Sequence, residues 1–176
     1  MNGAGRETGP PLSYPRHAPH LGAMTKRPLT PAEETLARSV FGDAIDYTQV
    51  RLSPTKWAFF QPRDTVMAPT GCIHFHPKGD LWREDFGACP LHEQGLFIHE
   101  MVHIWQHQRG IFLPLKRHPF CRYSYCLKPG RRFDRYGLEQ QAEIVRHAFL
   151  LKRGAVVAGA PPLAQYRTLV PFRGTD

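Results

Sequence analysis

Two histidines four residues apart, with a glutamate directly after the first, lie in the stretch LFIHEMVHIWQHQ: His99, Glu100 and His103. An α-helix turns by about 100° and rises about 1.5 Å per residue, so positions i and i+4 share a face and two imidazoles can converge on one ion. The carboxylate at Glu100 then falls beside that ion rather than on it. Zinc with three protein ligands and one open position lowers the pKa of a bound water towards neutrality, and a neighbouring glutamate can take its proton during attack on a carbonyl. The spacing encodes metal-assisted hydrolysis, with His99 and His103 as zinc ligands and Glu100 as general base.

With ten histidines and eight glutamates in the chain, such a motif arises by accident about two or three times in a hundred, so neighbouring elements must supply the rest. The window from Leu91 to Gln108 carries Leu96, His99, Val102, His103 and Gln106 at helical spacing, with Pro90 at its start and Gly110 past its end. Met101, Ile104 and Trp105 widen the apolar face, as a buried helix requires. A second helix is predicted in YGLEQQAEIVRHAFLLKRG, where Leu138, Ala142, Val145, Phe149 and Leu150 supply the apolar positions and Gly154 the stop. Glu139 and Glu143 are again i and i+4 on it. Glu139 would complete a His, His, Glu ligand set, and Glu143 is placed to hold the distal nitrogen of a ligand imidazole. His147 is the rival third ligand. His107 lies eight residues past His99, about 12 Å along the axis and too far for the same ion, so it reads as a surface or packing residue. A donor for the oxyanion at the scissile carbonyl is sought in Tyr136, just before the second helix, with Tyr123 and Tyr125 in FCRYSYC as alternatives.

The pair HEMVH and EQQAE resembles the gluzincin clan of zinc metallopeptidases, whose short members carry H-E-x-x-H on one helix and E-x-x-A-[DE] on the next. PLTPAEETLARSVFGDAIDY, QGLFIHEMVHIWQHQRG, RHPFCRY and YGLEQQAEIVRHAFLLKRG are similar to segments of the small bacterial Vgr-related proteins, over about Lys26 to Phe172. The resemblance implies an α+β, minimal zincin-like domain, His99, His103 and Glu139 around zinc, Glu100 as base and Glu143 behind a ligand. It also implies a metallopeptidase acting on a peptide or protein.

Residues 1–28 are rich in Gly, Pro, Arg and His and cannot bury enough apolar surface to offset ordering, so they are expected to be disordered, with Met24 an alternative start. One domain, 29–173, is expected to follow. Thr30-Pro-Ala-Glu33 is a capping box opening a helix that stops at Gly42. Between Tyr47 and Trp82 the short runs VRL, WAFF, TVMA and CIHFH predict a small antiparallel sheet packed beside the two ligand-bearing helices, with a turn near Pro69 to Gly71. Gly71 to Pro77 is the expected edge for an extended substrate, with His74 and His76 turned to water.

The charge balance, 23 Lys and Arg against 15 Asp and Glu, favours acidic partners. Much of the excess falls in segment 116–135, a candidate surface for such a partner; no nucleic-acid-binding motif accompanies it, so nucleic acid is not the expected one. Cys72, Cys89, Cys121 and Cys126 lack the spacing of a structural zinc site and read as reduced thiols. No apolar run has the length of a membrane span and no leader pattern opens the chain, which predicts a soluble cytoplasmic protein with signal-independent export left open. The alternative to an enzyme is a non-catalytic zinc-binding or interaction module that works through the basic loop, which the resemblance to Vgr-related proteins would associate with a secretion apparatus of the type VI kind.

Overall fold

The computed structural model describes residues 25–111 and 123–174. Helix α1 (Pro31–Phe41) begins at its capping box: Thr30 Oγ1 accepts from the Glu33 N–H at 3.0 Å and Glu33 Oε2 from the Thr30 N–H at 2.9 Å. The Glu33 carboxylate is fully buried and also holds Arg27 at 2.8 and 2.9 Å and the Phe86 N–H at 3.0 Å. One carboxylate therefore ties the chain before α1, the start of α1 and the turn before the next helix together. Arg27, inside the segment whose composition predicts disorder, also exchanges two backbone hydrogen bonds with Leu52. Residues 1–24 lie outside the described residues.

Strands β1 (Arg51–Ser53) and β2 (Cys72–His74) form a two-stranded sheet, and they run parallel, with Leu52 opposite Ile73. The expected antiparallel arrangement is thus corrected. Residues 54–71 form a long link that carries the chain back to the end from which β1 started, whereas antiparallel neighbours need only a short turn. Antiparallel pairing survives as single bridges on the outer sides, Arg27 to Leu52 and Met67 to His74. The run WAFF forms bends and a turn, and TVMA contributes only the bridge at Met67. The outer edge of β2 expected to receive substrate is occupied at His74 by Met67, through hydrogen bonds of 2.8 and 3.1 Å. His74, expected in water, is buried, with Nδ1 3.1 Å from the Thr55 carbonyl oxygen, while His76 is half-buried.

Helices α2 (Leu91–Gln108) and α3 (Leu138–Lys152) pack side by side and carry the site. Phe97, Ile98, Met101, Val102 and Ile104 of α2 are at most 1% exposed, each worth about 1.5–3 kcal/mol of burial, and this fixes the helix although its remaining face is polar. Gly95 lets the pair approach closely: a Cβ there would meet Leu150 Cδ2 at 3.0 Å. Helix α4 (Leu163–Leu169) lies against α3 through the fully buried Tyr166. His107 sits where a Cβ on Gly71 would meet its ring at 3.1 Å, a packing residue between α2 and the turn before β2.

Candidate metal centre

Helical spacing on α2 and the first turn of α3 bring His99, His103 and Glu139 together. All three are buried, and one ligand atom from each lies within 4.8 Å of the others. Glu139 Oε2 is 3.4 Å from His99 Nε2 and 3.2 Å from His103 Nε2. Ligands bound at about 2.0–2.1 Å around a tetrahedral ion stand about 3.4 Å apart, so the carboxylate stands from both imidazoles at the separation such an ion sets. Two imidazoles and a carboxylate also match the donor preference of a divalent ion of zinc's kind. The group can hold a metal ion.

Polar neighbours hold the two rings. Glu143 Oε1 lies 2.8 Å from His99 Nδ1. Glu143 Oε2 meets His147 Nε2 at 3.2 Å, and Arg146 reaches Oε1 at 3.2 Å. His147 is thereby a partner of Glu143 and not a member of the ligand group. Its Nδ1 lies 2.6 Å from the Tyr125 hydroxyl, which in turn meets Tyr166 at 2.7 Å. His103 Nδ1 lies 2.8 Å from Gln106 Oε1, and Gln106 Nε2 donates to Gln141 Oε1 at 3.0 Å and to the Leu138 carbonyl at 3.2 Å. With Nε2 turned to the cluster, Nδ1 carries the proton and donates to Gln106. The sequence signal for this role of Gln106 is a polar residue three positions after His103 on the same face of the helix.

The electrostatics favour a cation. Burial alone would push the His99 imidazole down, but hydrogen bonds to Glu139 and Glu143 and the nearby Glu100 charge outweigh it and hold the pKa up at about 9. Glu143 lies well below the usual carboxylate range: burial opposes this, and His147, His99 and Arg146 overcome it. Glu100 is 4% exposed, and its Oε2 has no hydrogen-bond partner among the described residues. A buried carboxylate oxygen left unpaired carries a desolvation cost that a water or ion in the site would relieve.

Tyr136 is buried, and its hydroxyl accepts from the Lys128 N–H at 3.1 Å, which leaves its own proton for donation. Tyr123 is 54% exposed with its ring centroid 6.2 Å from that of His99. Tyr123, Tyr125, Glu143 and His147 border a cavity of about 250 Å³ closed by Ala158 to Pro161. A larger one, about 340 Å³, lies between α1, α3 and α4 and touches none of the ligand residues. In the basic segment, residues 116–122 lie outside the described residues; Arg131 covers the Tyr136 ring and Arg132 pairs with Asp134 at 2.8 Å. Cys72, Cys89 and Cys126 are free thiols, and Cys121 lies outside the described residues. No helix among the described residues is long and apolar enough to cross a membrane.

Fold and site define an α+β domain with a buried His, His, Glu cluster between two helices. No protein-family model matches the chain. It is 43% identical over 140 residues to the type VI secretion system spike protein VgrG2b of Pseudomonas aeruginosa, a match covering 74% of this chain and 13% of that protein's length. It is also similar to the solved effector domain of Pseudomonas aeruginosa VgrG2b, at 38% identity and a TM-score of 0.65, over 81% of this chain and 80% of that one. The chain belongs to the family of the VgrG2b effector domain.

Proposed function

We propose that the protein is a zinc-dependent hydrolase, a metallopeptidase of gluzincin type in which His99, His103 and Glu139 hold the ion. The observation that carries this reading is the buried cluster with an unpartnered Glu100 carboxylate oxygen beside it. Zinc bound there would supply a Lewis acid that polarises a carbonyl and acidifies water. Glu100 takes a proton from the attacking water and returns it to the departing amine. Glu143 and Gln106 fix the orientation of His99 and His103. Tyr136 is the proposed donor to the developing oxyanion, with Tyr123, whose ring lies beside that of His99, the alternative.

The similarity to a spike protein and to an effector domain supports association with a type VI secretion system, and with it delivery by that route in place of residence in the cytoplasm. A peptide or protein is the substrate in this reading, and the basic segment 116–135 is the surface offered to an acidic partner. The test is removal and return of the ion: chelation should abolish cleavage of a mixed peptide library and zinc should restore it. His99→Ala and His103→Ala should lose both metal and cleavage. Full cleavage by a chelated, metal-free protein would overturn the reading.

A further inference from the structure

Residues 57–60, Trp-Ala-Phe-Phe, form a loop that turns aromatic rings outward. Phe59 is 89% exposed and Phe60 58%. The two rings meet edge to face at 5.3 Å, and Phe60 meets Trp57 at 6.1 Å. One exposed phenylalanine is ordinary on a protein surface, but two exposed phenylalanines in contact, with the partly buried Trp57 ring against Phe60, form a patch.

The loop is held in this form. Gln61 is 3% exposed; its Oε1 accepts from the Trp57 N–H at 2.9 Å, and its Nε2 donates to the carbonyls of Thr65 and His74 at 2.9 Å each. One buried amide thus pins both arms of the loop to β2, and the rings stay outside because the backbone that carries them is anchored.

Three cations lie on the two arms of the loop and on the turn packed against it. Lys56, Arg63 and Lys78 are all exposed, Lys56 Nζ lies 3.4 Å from the Phe59 carbonyl oxygen, and the turn at Gly79 packs on the Arg63 backbone so closely that no Cβ would fit. The neighbouring His76 senses this field: partial burial and then the charges of Lys56, Arg63 and Lys78 hold its pKa down.

We propose that this loop docks the protein on an anionic lipid surface, with Phe59 and Phe60 entering the boundary between headgroups and acyl chains and Lys56, Arg63 and Lys78 lying on the phosphates. A side chain 89% exposed protrudes, a shape suited to a fluid interface, whereas a stable protein contact covers about 800 Å² on each partner and buries its aromatic anchors in pockets. The inference is independent of the chemistry at the metal centre.

Co-sedimentation of the full chain with phosphatidylcholine vesicles, with and without phosphatidylglycerol, tests it. Binding is expected only to the anionic vesicles, with Trp57 fluorescence quenched by brominated acyl chains and the quenching lost in Trp57→Phe. The double variant Phe59→Ser with Phe60→Ser should weaken partitioning at least about tenfold. Each of Lys56→Gln, Arg63→Gln and Lys78→Gln should weaken it about fivefold. Metal content and thermal stability should be unchanged in the phenylalanine, lysine and arginine variants, because these side chains are exposed. Failure to bind anionic vesicles would overturn the proposal. So would binding indifferent to both phenylalanines, which would reflect general basic charge alone, or a need for the two rings only in capturing a soluble protein.

Discussion

Replacing Gln106 tests how the second ligand is held. The side chain is fully buried, accepts from His103 at 2.8 Å, and donates to Gln141 and Leu138 at 3.0 and 3.2 Å. Gln106→Leu keeps the volume and removes every one of these bonds. The Leu138 carbonyl can still be served within α3, so the groups left unpaired are His103 Nδ1–H and Gln141 Oε1. At about 1–3 kcal/mol for each buried unpaired group, less the gain from burying leucine, the loss of stability should be about 2–4 kcal/mol. Metal affinity should fall about 10–100-fold because the ring loses its fixed tautomer and orientation. Gln106→Glu separates the two effects: it retains an acceptor for His103 and loses the donor, so it should lose stability while keeping most of the affinity. Affinity is read by competition with a chromophoric chelator and stability by thermal unfolding of chelated protein. Equal affinity in Gln106→Leu and wild type, or equal losses in the two variants, would refute the reasoning.

Other expectations follow from the same geometry. Glu33→Ala should cost about 3–5 kcal/mol in denaturant unfolding, since it leaves Arg27 half-buried without its carboxylate and frees the Thr30 and Phe86 N–H groups. In chelated protein, protonated His99 contributes stability that is complete below its ordinary pKa of 6.5 and is lost as pH rises through about 9, which thermal melts across that window would display. Glu143, with its pKa depressed, contributes in the opposite sense: its share is present above its ordinary 4.5 and fades as pH falls through its lower folded value. A metal must displace the His99 proton, so apparent zinc affinity should climb about tenfold per pH unit and level off near 9; a flat profile would contradict that.

The parts of this molecule legible in the sequence are those fixed by local geometry. The T-P-A-E box gives the start of α1 because both reciprocal bonds lie within four residues. Helices α2 and α3 follow from apolar periodicity, and the meeting of His99, His103 and Glu139 follows from i, i+4 spacing on α2 and an acidic first turn on α3. Strand direction was not legible, since the parallel pairing of residues 51–53 with 72–74 depends on the path of the whole intervening link. The alternation in CIHFH pointed His74 to water, but the loop pinned by Gln61 covers that face and Thr55 supplies its partner. Helix α4 follows two prolines and has a single buried residue, Tyr166, too few for a periodic signal. The Arg27 clamp joins residues far apart in the sequence, and nothing in the composition of the first 28 residues marks it.

The central claim is that Glu100 acts as a base beside a metal held by His99, His103 and Glu139. Its most direct test is to measure zinc content and product release from a mixed peptide library side by side for wild type and Glu100→Gln. About one zinc per chain is expected in both, because Glu100 is not a ligand, with cleavage confined to wild type. Identical products from the two proteins, or a folded wild type without metal, would contradict it.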